Sequence, residues 1–456
     1  MRTIISNKIE IENPTPDILA WCEESLVLDN PEFYKLQRLG KWTGRTPQEI
    51  VLYERKGNSV LLPFGCLQDI WGMIKDNEYK VEISPVRSVG YSTNINLYSY
   101  QKKAIDNALV RKNGILVMPC GSGKTASALC LIAKIGGRAL WLTHTQDLLN
   151  QSYNAAKNIL DAEGRFGKIT AGRIDIGESI TFATIQTISK IDLTDYKDYW
   201  DVIVCDECAH TVGGPTKVTQ FYKVLSNLTA RYKIGLTATP KRADGLERAM
   251  FALLGNTIYT VTREDVKDTT CPINVQTIQT GYMPEYNAIL LGDGTLNYNA
   301  LVTDLIKNEE RFNLVRDTVN SLSGSALVLA NRVDYIQRLA DADVGKAVCL
   351  STMGQSKKAK AERKEVLRKL NDGEIDTVYA TYQLAKEGLD APNLRYVVLA
   401  TPEKDETTVV QSVGRVGRKA DGKDYGTVID FVDSFGMYIG WSKKRQRYYK
   451  KLGVEE

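Results

Sequence analysis

The chain of 456 residues has little that would place it in a membrane or in an oxidising compartment. No apolar run approaches the ~18 residues that a membrane-spanning helix needs. The first residues, MRTIISNKIEIENPTP, contain no apolar core of a signal peptide. The eight cysteines are scattered at irregular spacing, which excludes a disulfide-rich scaffold. We therefore expect a protein of a reducing cytoplasm without a membrane partner.

Histidine and net charge are also scarce. A structural zinc centre usually uses four ligands, and a chain with two histidines, His144 and His210, and no second C-x-x-C pair gives little indication of one. The net charge is only +4 at pH 7, so the chain as a whole does not indicate nucleic-acid binding. The distribution of charge indicates more, because residues 441–456 hold six lysines and arginines against two glutamates.

What the sequence does contain is an ordinary globular composition, with 43% hydrophobic and 25% charged residues. Residues 1–90 carry turn residues and short strand-like runs, which predict a small α+β module. Residues 91–265 alternate apolar runs (GILVM, RALWLT, SITFAT, DVIVCDE, YKIGLTAT) with helical segments. Residues 266–456 do the same (INVQTIQT, SALVLA, KAVCL, DTVYAT, RYVVLA, GTVIDFV), with one long helix predicted at LIKNEERFNLVRDTVNSL. The pattern predicts two tandem doubly wound parallel-sheet domains of α/β class.

The most informative segment is GILVMPCGSGKT, where a strand runs into a glycine-rich loop and a helix follows. Glycines let backbone amides approach phosphate oxygens, and the helix N-terminus adds partial positive charge. Lys124 is predicted to reach the β- and γ-phosphates and the Thr125 hydroxyl to ligate Mg²⁺. The strict pattern has glycine where this chain has Met118, which favours a variant loop over a kinase or GTPase loop. The predicted phosphate-binding residues are Gly121, Ser122, Gly123, Lys124 and Thr125.

A second segment, VIVCDECAH, admits two interpretations. Cys205 and Cys208 with His210 are spaced as a metal or redox site, whereas an apolar run ending in Asp206 and Glu207 is typical of an ATPase acidic box. A phosphate loop requires a carboxylate at the end of a neighbouring strand. We therefore predict that Asp206 holds Mg²⁺, that Glu207 activates the attacking water, and that the cysteines only pack beside them.

With these two boxes in place, residues 97–433 resemble the superfamily 2 helicases and translocases, whose remaining motifs follow in order. LYSYQKKAI is similar to the adenine-recognition segment of the family, which implies that Gln101 contacts adenine. LWLTHTQDLLNQ and TFATIQTI resemble motifs Ia and Ib, whose loops contact the nucleic-acid backbone. The residues that these two motifs imply are Thr143, Thr184 and Gln186, although ordinary cap and loop roles are also open for them.

GLTATPKRADG resembles motif III, which couples the nucleotide state to the nucleic-acid site. The coupling residues that it implies are Thr237, Ala238 and Thr239. The trailing P-x-R-x-D-G is more similar to XPB-like and phage repair helicases, including the UvsW type, than to DEAD-box RNA helicases.

VYATYQLAKEGLDAPNL resembles motif V and VVQSVGRVGR resembles motif VI. Motif V implies a nucleic-acid or coupling role for Thr381 and nucleotide contacts for Gly388 and Asp390, and Glu387 also matches it. Motif VI implies catalytic roles for its conserved positions, with arginines that stabilise the transferring phosphoryl group, a contribution of ~10³–10⁵ in rate. The implied residues are Gln411, Arg415 and Arg418.

The resemblance implies ATP and Mg²⁺ as cofactors and an ATP hydrolase coupled to nucleic-acid translocation. The leading hypothesis is a DNA helicase acting on single-stranded, forked or branched DNA, in unwinding or branch migration during repair, recombination or replication. It implies a monomer in a bacterial or phage-infected host cytoplasm, with replication or recombination proteins as further partners. The alternatives are an RNA helicase, a restriction motor subunit, and a nucleic-acid-binding protein with a switch-like ATPase.

Two features of the resemblance stay open. The family box has histidine where this chain has Ala209, and His210 follows one residue later. The segment NPEFYKLQRLGKWTGRTPQEIVLY is similar to the N-terminal module of XPB-like helicases. Its cations and Trp42 suit a DNA contact, but a packing domain with Trp42 in its core is the alternative.

Overall fold

A computed structural model of the chain describes residues 1–119, 121–211, 215–240, 245–354, 356–386, 389, 391–420 and 422–454. The chain forms two compact units. Residues 1–119 and 123–262 belong to the first, and Gly121, Ser122 and residues 263–456 belong to the second. In the described part of the chain, no helix combines the length and the apolarity needed to cross a bilayer.

The N-terminal module, residues 1–90, is a small α+β arrangement. Its elements are β1 (Arg2–Ile5), β2 (Lys8–Glu12), α1 (Pro16–Leu26), β3 (Val27–Asp29), α2 (Pro31–Arg38), β4 (Glu49–Val51), β5 (Glu54–Lys56), β6 (Ser59–Pro63), α3 (Leu67–Ile74) and β7 (Glu78–Val81). The main sheet has the order β5-β6-β2-β1-β7, and β3 pairs with β4. The predicted run IVLYE is divided between β4 and β5, because residues 52–53 leave the strand.

The first parallel sheet follows. Its segment contains β8 (Tyr91–Thr93), α4 (Ser99–Arg111), β9 (Asn113–Val117), α5 (Lys124–Ile135), β10 (Ala139–Thr143), α6 (Gln146–Ile159), β11 (Leu160–Ala162), β12 (Gly167–Thr170), β13 (Arg173–Ile174), β14 (Ile180–Thr184), α7 (Ile185–Ile188), β15 (Val202–Cys205), α8 (Cys208–Thr211), α9 (Pro215–Asn227), β16 (Tyr232–Thr237), α10 (Glu247–Leu254) and β17 (Thr257–Thr260). The sheet order is β13-β12-β14-β10-β15-β16-β9-β17. Apart from β12 with β13, its paired strands are parallel. The predicted α/β class and parallel pairing are confirmed.

The module and this sheet share one hydrophobic core. Helix α1 and the turn at residues 64–66 pack against α10, and buried residues of both parts form a continuous cluster. Polar contacts reinforce the junction: Asn256 donates to Asp69 at 2.7 Å, and the Tyr222 hydroxyl donates to Glu54 at 2.9 Å. The module is therefore built into the first unit.

A lysine is buried at this junction. Lys233, on β16, is 1% exposed. Its Nζ donates to the Leu225 carbonyl at 3.0 Å and lies 5.1 Å from the centre of the Phe64 ring. Burial lowers the pKa of Lys233 to about 7. The folded protein thus penalises the charged form of this side chain.

We expect Lys233→Met to raise the melting temperature at pH 7, and the gain to shrink as the pH approaches 10. The unfolded lysine has a pKa of about 10.4, so between the two pKa values the unfolded state binds more protons and the parent gains stability as pH rises. Scanning fluorimetry across this pH range measures the difference. The exposed Lys190→Met is the control, and a gain for Lys233→Met that does not vary with pH would show that charge burial is not its cause.

The second unit contains another parallel sheet. Its elements are α11 (Arg263–Val266), β18 (Ile273–Gln279), α12 (Tyr286–Ile289), α13 (Tyr298–Lys307), α14 (Glu309–Asn320), β19 (Ala326–Ala330), α15 (Val333–Asp341), β20 (Ala347–Cys349), α16 (Lys357–Asn371), β21 (Thr377–Thr381), α17 (Tyr382–Lys386), β22 (Tyr396–Leu399), α18 (Glu406–Val413), β23 (Gly426–Val432) and α19 (Gly436–Lys451). The order β18-β23-β22-β19-β21-β20 is parallel at each pairing.

The long helix predicted at LIKNEERFNLVRDTVNSL is wrong as a single element. The chain breaks at Asn308, whose extended backbone ends α13 and whose side chain accepts a hydrogen bond from the Arg311 N–H to start α14. Asparagine competes for backbone hydrogen bonds in this way and favours caps over helix interiors.

The C-terminal helix α19 divides its cations between two environments. Trp441 and Tyr449 are buried against the second unit, and Arg445 is 1% exposed. The Arg445 guanidinium donates to Asp430, with the closest nitrogen 2.8 Å from Oδ1. The remaining cations of the tail are exposed, so only they face solvent. These residues are Lys443, Lys444, Arg447, Lys450 and Lys451.

Candidate functional site

The phosphate loop and the acidic box lie at the same edge of the first parallel sheet. β9 ends at Val117, just before the loop, and β15 ends at Cys205, just before Asp206. β16 lies between these two strands and ends at Thr237. Because parallel strands end at one edge of a sheet, three predicted motifs meet there.

The phosphate loop begins α5 with Lys124 as its first helical residue. Gly121 and Gly123 have φ values of 82° and 76°, a left-handed conformation that glycine adopts without penalty. Gln101 of α4 lies beside the loop: a Cβ at position 123 would be 2.5 Å from its Nε2. The Gln101 Oε1 accepts from the Tyr98 N–H at 2.9 Å, which fixes the amide in place.

Lys124 connects the loop to the acidic box. Its Nζ lies 3.4 Å from Glu207 Oε1 and 3.4 Å from the Met118 carbonyl oxygen. The Met118 N–H in turn donates to the Thr237 carbonyl at 2.9 Å. A continuous chain of contacts therefore joins motif III to Lys124 and to Glu207.

Asp206 is almost fully buried at 5% exposure. Its backbone N–H donates to the Leu142 carbonyl at 2.9 Å, and the Ser152 hydroxyl donates to Oδ2 at 3.4 Å. Burial raises the pKa of Asp206, and the neighbouring Glu207 raises it further, whereas Lys124 opposes both. A divalent cation at this position would favour the charged carboxylate.

The residues present fit ATP with Mg²⁺. The glycine loop at a helix N-terminus suits phosphate, and Asp206 and Thr125 offer the oxygen ligands that Mg²⁺ prefers. In the described part of the chain, no group of three or more His, Cys, Asp or Glu could hold a metal by itself. Mg²⁺ here would accordingly use nucleotide phosphates as further ligands, which is its usual mode of binding.

Glu207 has an unusual backbone. Its φ is 49°, a conformation that costs a non-glycine residue ~1–2 kcal/mol. Such strain clusters at functional sites, where the surrounding structure holds it. Cys205 and Cys208 flank the two carboxylates, both with fully buried side chains, and burial raises the pKa of each thiol. Ala209 is also buried, and the His210 side chain lies outside the described part of the structure.

Motifs Ia and Ib meet at the next strands. Thr143 ends β10 and pairs directly with Thr184 at the end of β14. Thr143 is fully buried and its hydroxyl donates to the Thr145 carbonyl at 3.1 Å, so it shapes the turn. The Gln186 amide donates to the His144 carbonyl at 3.1 Å and joins the two motifs. Thr143 and Gln186 thus organise the loops that we predicted to contact nucleic acid.

Motif III turns sharply after β16. The Thr237 hydroxyl donates to the Thr239 carbonyl at 3.0 Å and accepts from the Thr239 N–H at 3.2 Å, which closes a turn around Ala238. The P-x-R-x-D-G extension follows, but residues 241–244 lie outside the described part of the structure.

Motifs V and VI lie on the second unit. Thr381 ends β21, where its N–H donates to the Ser351 hydroxyl at 2.8 Å and its own hydroxyl accepts from the Leu384 N–H at 3.3 Å. Threonine at this position therefore starts α17. Glu387, Gly388 and Asp390 lie outside the described residues.

The two motif VI arginines differ in environment. Arg415 is 9% exposed and its guanidinium donates to the carbonyls of Ala385 and Leu389. It therefore braces the motif V segment. Arg418 is partly exposed and its backbone bridges to Thr270, and Gln411 is partly exposed on α18. Of the two arginines, Arg418 has the more exposed side chain.

Some contributing residues were missed from sequence. Ser152 contacts Asp206, and Ser351 contacts Thr381. Ser152 had a recognisable signal, because it lies on the buried face of α6 with Leu149 and Ala156, where a hydroxyl needs a partner. Ser351 follows β20 in a turn and had no comparable signal.

Comparison with known proteins agrees with this geometry. Residues 94–242 match the family described as "Type III restriction enzyme, res subunit". Residues 310–420 match the family described as "Helicase conserved C-terminal domain". These matches cover the phosphate loop, the acidic box, and motifs Ia, Ib, III, V and VI.

Individual relatives extend the likeness. The chain is 23% identical to the ATP-dependent DNA helicase uvsW of Enterobacteria phage T4, covering 94% of this chain and 91% of the relative. It is 24% identical to the DNA 3'-5' helicase XPB of Mycobacterium tuberculosis, over 78% of this chain and 64% of that one. The solved structure of S. cerevisiae Dbp5 bound to RNA and ADP BeF3 has the same fold, with a TM-score of 0.55, 17% identity and coverage of 87% and 93%.

The predicted resemblance is confirmed by both family matches and by these relatives. The chain belongs to the superfamily 2 helicases and translocases and is similar to UvsW- and XPB-type members.

Proposed function

We propose that this protein is an ATP-dependent DNA helicase or translocase that unwinds or branch-migrates DNA in repair, recombination or replication. The carrying observation is the contact of Lys124 with Glu207 at 3.4 Å, beside the buried Asp206. This contact supports the proposed roles of Lys124 as a phosphate-binding cation, Asp206 as a metal-binding carboxylate and Glu207 as a water-activating carboxylate. ATP with bound Mg²⁺ supplies the phosphoryl group that is transferred to water.

In the proposed mechanism each side chain has one task. Lys124 leaves Glu207 to bind the β- and γ-phosphates, and Glu207 then accepts the proton of the attacking water. Arg418, carried by the second unit, stabilises charge on the transferring phosphoryl group, while Arg415 acts as a positioning residue. The path from Lys124 through Met118 to Thr237 transmits the phosphate state to motif III.

DNA is favoured over RNA as the substrate. The DNA helicase of phage T4 matches 94% of this chain and 91% of its own length, whereas the putative ATP-dependent RNA helicase L396 of Acanthamoeba polyphaga mimivirus matches 88% and 76%. The likeness to the RNA-bound Dbp5 is one of fold alone. The exposed cations of α19 suit a phosphate backbone, although either nucleic acid would satisfy them. The substrate therefore has to be decided by activity.

The test is steady-state ATP hydrolysis with single-stranded DNA, a fork, a four-way junction or single-stranded RNA, followed by unwinding and branch migration. We expect DNA to raise the rate of ATP hydrolysis by at least about ten-fold, because such motors couple ATP turnover to movement along nucleic acid. Stimulation by RNA alone would replace the proposal with an RNA helicase. Hydrolysis indifferent to any nucleic acid would instead leave a switch-like ATPase.

A further inference from the structure

A surface turn in the N-terminal module presents an exposed tryptophan. The Trp42 turn, residues 39–46, connects α2 to β4. The side chain of Trp42 is 88% exposed. A packing role in the core, the alternative considered from sequence, is therefore wrong. Tryptophan buries a large apolar area when it meets a partner, so this exposed indole is available as a binding contact.

The turn is held in a defined shape. Gly40 and Gly44 have φ values of 59° and 57°, which glycine alone adopts without strain. A Cβ at Gly44 would lie 3.0 Å from the Trp42 ring, so the indole lies close to the Gly44 backbone. Most of the Trp42 side chain remains open to solvent. The ring is thus oriented by its own turn.

The base of the excursion is pinned. The buried Asn30 precedes α2, and its side-chain amide donates to the Pro47 carbonyl at 2.6 Å. Its backbone N–H donates to the Gln48 carbonyl at 2.9 Å. Because β3 and β4 also pair, the segment between them leaves the module and returns at one point. In this excursion α2 has no buried residue, so the segment projects from the surface.

Four exposed cations lie on α2 and in the Trp42 turn. Among the residues that the structure describes, none of the four lies within 4 Å of a carboxylate. Residues 31–46 carry one glutamate against them. Their charges are therefore available to an anionic partner. The cations are Lys35, Arg38, Lys41 and Arg45.

We propose that the Trp42 turn is a base-stacking contact for an unpaired nucleotide of DNA, with the cations of the same segment on the flanking phosphates. An exposed aromatic ring in a segment of exposed cations matches the chemistry of single-stranded nucleic acid, where bases stack on aromatic rings and phosphates attract lysine and arginine. A lipid surface would use a broad apolar face, and within residues 39–46 only Leu39 accompanies Trp42 as an exposed large apolar side chain. The inference rests on the proposed function because it takes DNA as the substrate.

Tryptophan emission tests the contact without ATP. Trp42 is the most exposed of the six tryptophans, so titrating the full chain with oligothymidylate should quench a red-shifted part of the emission. Trp42→Ala should lose that quenching and bind about 5- to 100-fold more weakly. Trp42→Phe should also lose the quenching but keep more of the affinity, since phenylalanine still stacks. A blunt duplex should quench less than the oligonucleotide.

Trp71→Ala is the matched control, because Trp71 is the other exposed tryptophan of the module at 38% and should leave quenching and affinity intact. Trp42→Ala binding as tightly as the parent would overturn the inference, as would full quenching in Trp42→Phe. Quenching by oligouridylate or by anionic vesicles, but not by oligothymidylate, would overturn the assignment to DNA. Quenching with no DNA-stimulated hydrolysis would leave the contact standing while the proposed function fails.

Discussion

Glu207→Gln is expected to lower ATP turnover by about 10²–10⁴-fold while ATP binding is retained. The carboxylate lies 3.4 Å from Lys124 on a backbone of φ 49°, and the amide keeps its shape but cannot accept a proton from water. Nucleotide affinity should not fall, because the substitution removes a negative charge beside the phosphates. Steady-state hydrolysis and equilibrium binding of a fluorescent ATP analogue measure the two effects separately.

Two lysines of α5, Lys124 and Lys134, provide a test variant and its control for this site. Lys124→Ala should abolish turnover and also weaken ATP binding, since the ammonium is the predicted phosphate contact. Lys134→Ala changes the same residue type on the same helix, where the side chain pairs with Asp106 at the surface. Turnover of Lys134→Ala should stay near that of the parent.

Retained hydrolysis in Glu207→Gln would show that another group activates water.

Arg445→Met is expected to destabilise the second unit by ~3–5 kcal/mol, the usual cost of removing one partner of a buried ion pair. Asp430 would be left with the Tyr449 hydroxyl at 2.7 Å and without its guanidinium. The Arg445 Nη1 contact with the Glu403 carbonyl at 3.1 Å would also be lost. Methionine replaces the aliphatic stem of arginine and has a similar helix propensity, so the effect reports mainly the loss of the guanidinium.

Lys444→Met is the neighbouring control, with the same change of charge on an exposed position of α19. Urea unfolding followed by far-UV circular dichroism should show a lower midpoint for Arg445→Met and little change for Lys444→Met. Nucleic-acid binding should instead weaken in Lys444→Met and change little in folded Arg445→Met, because of these two residues only Lys444 faces solvent. Equal stability of the two variants would contradict a structural role for Arg445.

The sequence alone was sufficient to predict the features that depend on local residue chemistry and on the order of the motifs along the chain. The strand before the phosphate loop and the strand before Asp206 were predicted within about one residue, because buried parallel strands are short apolar runs between breakers. Their meeting at one edge followed from the rule for parallel sheets. A carboxylate at the end of a strand near the phosphate loop was predicted from the residues, and the structure brings Lys124 and Glu207 together.

Other features depend on distant partners. The burial of Arg445 could not be told from that of Lys444, since both occur in one basic run and only Asp430 on β23 distinguishes them. Arg415 looked like a catalytic arginine by motif, yet carbonyls 26 and 30 residues away along the chain hold it. The exposure of Trp42 was equally hidden, because a lone tryptophan near turns suits a core and a surface alike.

The common core of residues 1–90 and the first parallel sheet limits how this protein can be taken apart. A chain shortened to begin at residue 91 would uncover α10 and leave Lys233 without the Phe64 ring above it. Such a fragment should aggregate, so the ATP-binding half cannot be assayed free of its N-terminal segment. Because the two parts share one core, the N-terminal module that carries Trp42 should not move independently of the first parallel sheet. A base stacked on Trp42 would therefore move together with the first parallel sheet.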